Sequence, residues 1–212
     1  PPRSTPLYSS AASDVYKRQF QDDCAFGLSK RKVTLSTAGL VPGIMRMKET
    51  LDCSLAISLH APTDSVRNVL VPVNRKYPIK DLLAAASEYI ESKQSLRTLI
   101  IEYTLIEGVN DSPQDAAQLA DLLKPIKCKI NLIPFNTFDG SDYMAPKDQC
   151  VKAFQRRLVL AGHRVMIRST RGSDIMAACG QLAELSQDDA DASIEGGSDE
   201  HRKVALTFHG SA

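Results

Sequence analysis

The sequence predicts an α/β fold in which parallel strands alternate with crossover helices. Short β-rich or apolar runs recur through residues 20–185, and longer amphipathic segments separate them. Connections of that length join parallel strands, whereas antiparallel neighbours need only a short turn. Four or five such units fit either part of a barrel or an open doubly wound sheet. No G-x-G-x-x-G or Walker-type loop follows a strand, which counts against a nucleotide-binding version of the fold.

Each strand is predicted from its own residue pattern. Residues 32–36 are rich in β-formers and are followed by Gly39, and residues 54–60 form a nearly continuous apolar run, as expected of a strand buried on both faces. The remaining predicted strands are residues 98–105, 129–134 and 163–168.

Three helices have clear sequence signals. Residues 79–93 place apolar side chains on one helical face. Ser112 is predicted to cap a helix that runs to about Leu123, with Pro113 at its first position and Asp115 in its first turn. A third helix is predicted to begin at Pro146 and to stop at Gly162.

Charge and composition limit the functional classes. The whole chain has a net charge of +1. Residues 20–185 carry 21 basic and 18 acidic side chains, a net +3, which is too weakly basic to indicate nucleic-acid binding by itself. No apolar run approaches the roughly 18–20 residues of a membrane helix, so we expect no membrane association and a cytoplasmic location.

Both ends of the chain differ from its centre. Residues 1–19 lack periodicity and end in D-V-Y-K-R-Q, which resembles a translated sequencing adapter, so we predict a disordered artefact there. Residues 186–212 are acidic and aperiodic, which predicts a disordered tail. Residues 20–185 are therefore the expected domain. If residues 1–19 are foreign, the chain is the carboxyl-terminal part of a longer protein.

The five cysteines lie far apart, at positions 24, 53, 128, 150 and 179. The odd count and the absence of a short C-x-x-C spacing argue against a disulfide framework and against a self-contained metal site. We therefore predict no metal ligands in this chain. On base rates four of the five cysteines are buried or inert, which leaves at most one that needs a chemical explanation.

Polar side chains collect where the predicted strands end. Ser36, Ser58, His60, Asn136 and Arg168 follow or close successive strands. Because the carboxyl ends of parallel strands form one edge, which is where such folds bind ligands, these side chains predict a polar ligand site. The residues alone indicate no reaction type, since no Ser–His–Asp or H-E-x-x-H signature is present.

Four segments resemble one known family. They are F-G-L-S-K-R-K-V-T-L-S-T-A-G (26–39), A-I-S-L-H-A-P (56–62), C-K-I-N-L-I-P-F-N (128–136) and R-S-T-R-G-S-D-I-M-A-A-C-G-Q-L-A (168–183). In this order they are similar to the radical-SAM enzymes that methylate C2 of adenine in 23S ribosomal RNA and tRNA. The resemblance implies the carboxyl-terminal portion of a partial βα barrel, with S-adenosylmethionine (SAM) and a 4Fe–4S cluster as cofactors.

The resemblance also implies roles for individual residues. Ser36, Ser58, Leu59, His60 and Asn136 match the family positions that contact SAM. In A-A-C-G-Q, Cys179 matches the cysteine that becomes S-methylated. The implied partners are 23S rRNA and tRNA together with an electron donor such as flavodoxin, and the full-length enzyme is expected to be a monomer.

The implied reaction explains why a thiol is needed. Adenine C2 carries hydrogen and no lone pair, so it cannot attack the methyl group of SAM directly. In the family's route the thiolate of Cys179 takes a methyl group from one SAM. A second SAM, cleaved reductively, yields a 5′-deoxyadenosyl radical that abstracts hydrogen from the S-methyl group. The methylene radical adds to C2, and a second cysteine then attacks the sulfur of Cys179 and releases the product.

Several family motifs are absent from this chain. It lacks the C-x-x-x-C-x-x-C cluster motif, the resolving cysteine, the Gly-Glu pair that binds SAM and the acid/base glutamate. We therefore expect the chain alone to be inactive. Three alternatives stay open: a sister enzyme that methylates adenine C8, a non-catalytic SAM- or RNA-binding module, and an unrelated βα-barrel enzyme acting on a small molecule. The segments F-G-L-S-K-R and K-I-N-L-I-P-F-N favour the C2 enzyme.

Two arginines flank the last of these segments. Arg168 and Arg171 could lower the pKa of the nearby Cys179 thiol or hold RNA phosphates, and residues 30–32 (Lys-Arg-Lys) could extend the same basic patch. The alternative for each is an ordinary solvated surface charge.

Overall fold

The computed structural model describes residues 34–93, 98–138 and 140–168. These residues form a five-stranded parallel sheet with helices in the connections. The predictions that fall on residues 1–33 and 169–212, which include Cys179, Arg171 and both predicted disordered ends, lie outside the described residues. The strands are β1 (Thr34–Thr37), β2 (Ser54–Ser58), β3 (Leu99–Leu105), β4 (Cys128–Pro134) and β5 (Arg164–Ile167).

Five α-helices and one short 3₁₀ turn occupy the described connections. The helices are α1 (Val41–Thr50), α2 (Asp64–Leu70), α3 (Ile79–Glu91), α4 (Pro113–Leu123) and α5 (Asp148–Leu160), and the 3₁₀ turn is Pro72–Arg75. None of the helices in the described ranges is long and apolar enough to cross a bilayer.

The order of the strands decides between the two architectures left open by the sequence. The strands lie side by side in chain order, β1-β2-β3-β4-β5, and every neighbouring pair is parallel. A doubly wound sheet reverses direction at a switch point, whereas a barrel winds steadily one way. The sheet is therefore singly wound, as in part of a βα barrel, and the predicted parallel α/β class is confirmed.

One face of the sheet is covered by helices and forms the core. Leu55, Ile57, Ile101, Tyr103 and Leu132 alternate along the strands on this closed face and are fully buried. They pack in a single cluster with apolar side chains of α1, α3, α4 and α5, such as Ile44, Leu82, Leu119 and Phe154.

The opposite face of the sheet is only partly covered and carries many polar side chains beside apolar ones such as Ile100 and Met166. Residues on this open face have the opposite parity along each strand and are mostly half-buried or exposed, with Ala56 and Thr104 as buried exceptions. The open face carries, among others, Ser36, Ser58, Glu102, Lys129, Asn131 and Arg164. A two-layer arrangement of this kind leaves one sheet face and its carboxyl edge for ligands.

The helix predicted from Ser112 is confirmed. The Ser112 side chain accepts a hydrogen bond from the backbone N–H of Asp115, and the Asp115 carboxylate accepts one from the backbone N–H of Ser112, forming a reciprocal capping box. Pro113 is the first helical residue, where its missing N–H has no intrahelical partner to lose.

Other boundaries differ from the prediction. Pro146 does not open a helix: α5 begins at Asp148 with Lys147 as its cap, and Pro146 is a buried residue of the preceding loop. Gly162 follows this helix with φ +93°, a left-handed conformation that glycine adopts without strain, so the predicted stop is confirmed.

Two helices were not predicted. α1 contains Pro42 and Gly43, which normally argue against a helix, but Pro42 lies in the first turn, where proline is tolerated, and Ile44 and Met47 anchor the helix in the core. α2 has only seven residues, which is too short for a helical period to be recognised in the sequence.

Candidate functional site

A cluster of polar side chains lies on the open face near the carboxyl ends of the strands. Glu102 of β3 accepts hydrogen bonds through Oε2 from the hydroxyls of Ser36 (3.1 Å) and Ser58 (3.5 Å). Its Oε1 lies 3.7 Å from Nη1 of Arg168, just beyond β5. We call these four residues the Glu102 cluster. The structure thus places side by side two residues predicted to contact SAM, an arginine that the sequence singled out, and a carboxylate that it did not.

The segment after β2 has a conformation that its neighbours fix. The backbone N–H groups of Leu59 and His60 both donate to the carbonyl of Glu102. His60 then turns the chain with φ +59°, a left-handed conformation uncommon for a residue other than glycine. The side chains of Leu59 and His60 are buried and support the carboxyl edge of the sheet from within the protein. Their contact with SAM stays a prediction.

Buried Arg67 ties the ends of β1 and β2 together. This arginine of α2 has no exposed surface, and its guanidinium donates to the carbonyls of Ala38 (2.6 Å), Ser58 (3.1 Å) and Leu59 (2.9 Å). A fourth bond goes to Oδ1 of Asn74 (2.7 Å). Arg67 is therefore a positioning residue, because it holds the backbone on which the predicted SAM contacts lie.

The charge of Arg67 is compensated by the carbonyl and amide dipoles that it contacts and by the more distant carboxylate of Asp64. Burial lowers the pKa of Arg67 to about 10, and the charge of Asp64 opposes that shift. Asp64 does not touch the guanidinium; it accepts from the side chain of Asn74 and from the backbone N–H of Ile79. Arg67 stays protonated at neutral pH, and Asn74 links it to Asp64.

Gly39 allows the guanidinium to approach. Its φ of +121° is a conformation that other residues rarely adopt. A Cβ at this position would lie 3.2 Å from Nη2 of Arg67 and 3.1 Å from Cδ2 of Leu82. The glycine after β1, predicted only as a strand end, is thus required both for its conformation and for the space that it leaves.

A second buried residue, Asn110, connects the segment after β2 to the end of β3 through hydrogen bonds of its side-chain amide. Its Nδ2 donates to the carbonyls of His60 and Thr104, and its Oδ1 accepts from the backbone N–H of Ile106, each at 2.7 Å. The hydroxyl of Tyr103 donates to the Asn110 carbonyl at 2.8 Å. Asn110 is fully buried and has a structural role.

His60 is held in one neutral form. Its Nδ1 accepts a hydrogen bond from the backbone N–H of Thr104 at 3.0 Å, so the ring proton lies on Nε2. Burial, together with the smaller effect of the charge of Arg67, lowers the pKa of His60 to about 3. Protonation of Nδ1 would also be unfavourable because two donor hydrogens, that of Nδ1 and that of the Thr104 N–H, would then face each other. His60 is therefore not a proton carrier near neutral pH.

This burial predicts a pH dependence of stability. The folded-state pKa of His60 is depressed below its unfolded value of about 6.5, so the unfolded state binds more protons between pH 6.5 and 3. Stability is lost as pH falls through this window, by up to roughly 1.4 kcal/mol for each pH unit. His60→Asn keeps an acceptor near Nδ1 and tolerates positive φ. Denaturant unfolding of the full chain from pH 7 to 4 should show a shallower decline for the variant, and parallel curves would contradict this account.

Asn136 lies on the same edge as the Glu102 cluster, beyond β4. Its half-buried side-chain amide has no hydrogen-bond partner among the described residues. The preceding residue, Phe135, continues the β3–β4 ladder by donating its N–H to Leu105 and packs against Phe138 and Tyr143. The contacts of Phe135 thus fix the backbone that carries the Asn136 amide. The contact of this amide with SAM stays a prediction.

Two of the three described cysteines are buried, and the expectation that four of the five are buried or inert stays a prediction. Cys53 and Cys128 are buried, and burial raises the pKa of the Cys128 thiol to about 11. Cys150 is exposed on α5. Within the described ranges no group of three or more His, Cys, Asp or Glu side chains could hold a metal ion.

Sequence reasoning missed two residues of this site. Glu102 had a usable signal, because it is a carboxylate in the middle of the apolar strand T-L-I-I-E-Y-T-L, where a charge is costly without a purpose. Arg67 had none: in D-S-V-R-N-V-L it is indistinguishable from a solvated helical arginine. Only the tertiary contacts show that it is buried.

Sequence comparison identifies close relatives. The chain is 54% identical over 167 residues to the dual-specificity RNA methyltransferase RlmN of Marinobacter nauticus, 56% over 160 residues to that of a Marinomonas species, and 52% over 161 residues to that of Pseudomonas putida. These matches cover 76–79% of this chain but only 42–45% of the relatives, so the chain spans less than half of their length. No protein-family model matches the chain.

Solved structures agree with this fold. A radical SAM methyltransferase from Sphaerobacter thermophilus is 41% identical, with a TM-score of 0.72 over 76% of this chain and 47% of that protein. A domain of a pyruvate-formate lyase-activating enzyme from Bacteroides vulgatus has a TM-score of 0.54 over 77% of this chain and 92% of that domain, at 21% identity, which shows the fold alone.

The sequence motifs, the singly wound sheet and these matches agree. On that basis the chain is similar, over about three quarters of its own length, to the dual-specificity RNA methyltransferases RlmN, of whose length it spans less than half.

Proposed function

We propose that this chain is part of a radical SAM methyltransferase that methylates C2 of adenine in 23S rRNA and tRNA. The observation that carries the proposal is the 52–56% identity to RlmN enzymes over three quarters of the chain. Because the chain spans less than half of those relatives, we propose that activity belongs to the longer protein and that this chain alone is inactive. Residues 20–185 are the proposed domain, with 1–19 and 186–212 outside it.

The carboxyl edge of the sheet is the proposed SAM site. Ser36, Ser58 and Asn136 offer polar groups there, and Leu59 and His60 support the edge through their buried side chains. Partly buried polar groups beside an apolar core suit a ligand that has both polar and apolar parts. The described residues therefore fit SAM as a ligand, and SAM supplies the methyl group when bound.

Cys179 is the proposed methyl carrier. A thiolate is the nucleophilic form of cysteine, so this thiol must lose its proton before its sulfur bonds to the methyl carbon while the methyl–sulfonium bond breaks. Arg168, one of two arginines expected to promote that ionisation, lies against Glu102, which offsets its charge. We therefore propose that Arg171, the other of these two arginines, promotes the ionisation.

An iron–sulfur cluster is not supported by the residues that the structure describes, since they include no suitable group of ligands. We propose that the ligands of such a cluster belong to the remaining part of the longer protein. An electron donor such as flavodoxin, a monomeric state and a cytoplasmic location are further proposals, and they rest on the family resemblance.

The experiment is nucleoside analysis with the protein encoded by the complete reading frame. It is purified anaerobically and incubated with SAM, a reductant and an unmodified 23S rRNA fragment, and the digested RNA is analysed by mass spectrometry. We expect 2-methyladenosine to appear.

Other outcomes distinguish the alternatives. 8-Methyladenosine would overturn the C2 assignment in favour of the sister enzyme. SAM and RNA binding without any methylated nucleoside would favour a binding module. Failure to bind SAM at all would contradict the SAM site itself.

A further inference from the structure

Two basic side chains lie opposite each other on the open face, near the amino ends of the last two described strands. Lys129 of β4 is the register partner of Arg164 of β5, and both residues are exposed. We call these two residues the basic pair. Neighbouring strands lie about 4.8 Å apart, so like charges at matched positions repel each other. An anion placed beside the basic pair would relieve that repulsion.

The described residues supply no such anion. No hydrogen bond or ion pair joins either side chain of the basic pair to another residue in the described ranges. Glu102 is the one acidic residue on the described strands, and its register partner is Asn131, two residues beyond Lys129. Its carboxylate is already engaged in the Glu102 cluster, where Arg168 faces it. The positive charge of the basic pair is therefore unbalanced within the described sheet.

The surface beside the basic pair is accessible. Within the described sheet β5 is an edge strand, paired only with β4. Met166, the next residue after Arg164 on the same face, is 59% exposed. An extended segment can therefore lie along this edge within reach of both cations.

The chain itself contains a segment of the opposite charge. Residues 188–200 carry no basic side chain and six carboxylates, which belong to Asp188, Asp189, Asp191, Glu195, Asp199 and Glu200. Asp188 follows Arg168 by 20 positions, which an extended chain spans over roughly 66 Å, whereas Arg164 lies only about 13 Å back along β5. The segment reaches the basic pair without strain, and its covalent attachment gives it a high effective concentration there.

RNA, the proposed substrate, is another polyanion, but the position of the basic pair disfavours it. The reacting adenine must reach the carboxyl edge of the sheet, where the proposed SAM site lies. Lys129 precedes the end of β4 by five residues, or about 16 Å. Proteins that hold nucleic acid by its backbone use several phosphate contacts, and two cations supply few of them. The acidic segment of the same chain fits the basic pair better.

We propose that residues 188–200 dock on the basic pair through ion pairs between their carboxylates and the side chains of Lys129 and Arg164. The contact requires no regular secondary structure in the acidic segment. Residues 169–187, which include Cys179, are then attached to the sheet at both ends, which limits how far this thiol can move from it. The docking itself does not depend on the methylation chemistry.

The test is zero-length cross-linking of the protein encoded by the complete reading frame. A water-soluble carbodiimide joins a lysine amine to a carboxylate in contact with it, and tandem mass spectrometry of the tryptic peptides identifies the joined residues. Lys152, an exposed lysine of α5, is the matched control. We expect products of residues 188–200 with Lys129 to exceed those with Lys152 roughly 5- to 10-fold, the size of effect that a small group of exposed ion pairs produces. The excess should disappear in about 1 M salt, which screens exposed charges.

Arg164→Gln tests the other member of the basic pair. It should lower the yield of the Lys129 product about 2- to 5-fold. Arg156→Gln, which removes an exposed arginine of α5, should leave that yield unchanged.

Three results would overturn the proposal. One is an equal yield at Lys129 and Lys152, and another is Lys129 joined mainly to a carboxylate elsewhere in the longer protein. The third is protection of Lys129 from acetylation by the rRNA fragment without any product of residues 188–200, which would assign the basic pair to RNA. The comparison of the two lysines uses the wild-type protein and needs no variant to fold.

Discussion

Replacing Arg67 by methionine is expected to lower the free energy of unfolding by at least about 3 kcal/mol. Methionine fills a similar volume but leaves the carbonyls of Ala38, Ser58 and Leu59 and the amide oxygen of Asn74 without their buried donor. Each buried acceptor left unpaired costs about 1–3 kcal/mol. The measurement is denaturant unfolding of the full chain at neutral pH.

Arg75 provides the control for this change. It lies in the Pro72–Arg75 turn close to Arg67 in sequence but is exposed. Arg75→Met should change stability by less than about 0.5 kcal/mol. A loss below about 1 kcal/mol for Arg67→Met would show that the guanidinium does not hold the strand ends together.

Replacing Cys179 by alanine is expected to abolish RNA methylation by the protein encoded by the complete reading frame. Alanine removes the only group proposed to carry the methyl, and its own side chain is not a nucleophile. The measurement is transfer of labelled methyl groups from SAM to the rRNA fragment.

The control is Cys150→Ala, because Cys150 is an exposed thiol on α5 outside the proposed site. It should retain methyl transfer close to the wild-type rate. Retained transfer in Cys179→Ala would favour a packing role for that thiol, and equal loss in both variants would point to a general effect of removing cysteines.

Much of this fold could be predicted from the sequence because its signals are local. The apolar run of β2, the capping residues of α4 and the long connections each require only neighbouring residues to be recognised. The missed helix α1 is the instructive exception. Its proline and glycine weigh against a helix locally, and burial of Ile44 and Met47 in the tertiary structure outweighs them.

The sequence predicted the polar side chains at the strand ends of the candidate site, but not the buried and half-buried residues that hold them in place. The sequence placed Ser36, Ser58 and Asn136 at strand ends, because parallel strands present their carboxyl ends together. It could not show that Glu102 joins the two serines, since that contact depends on the register between three strands. Nor could it show that Arg67 is buried, because a charged helical residue is exposed in most proteins.

The most direct test of the central claim is to locate the methyl group on the protein. The protein encoded by the complete reading frame is incubated with SAM that carries an isotopically labelled methyl group and is then digested and analysed by tandem mass spectrometry. We predict that the peptide containing Cys179 gains one labelled methyl or methylene group, while the peptide containing Cys150 does not. Labelled RNA formed by a protein whose Cys179 never carries the label would contradict the account.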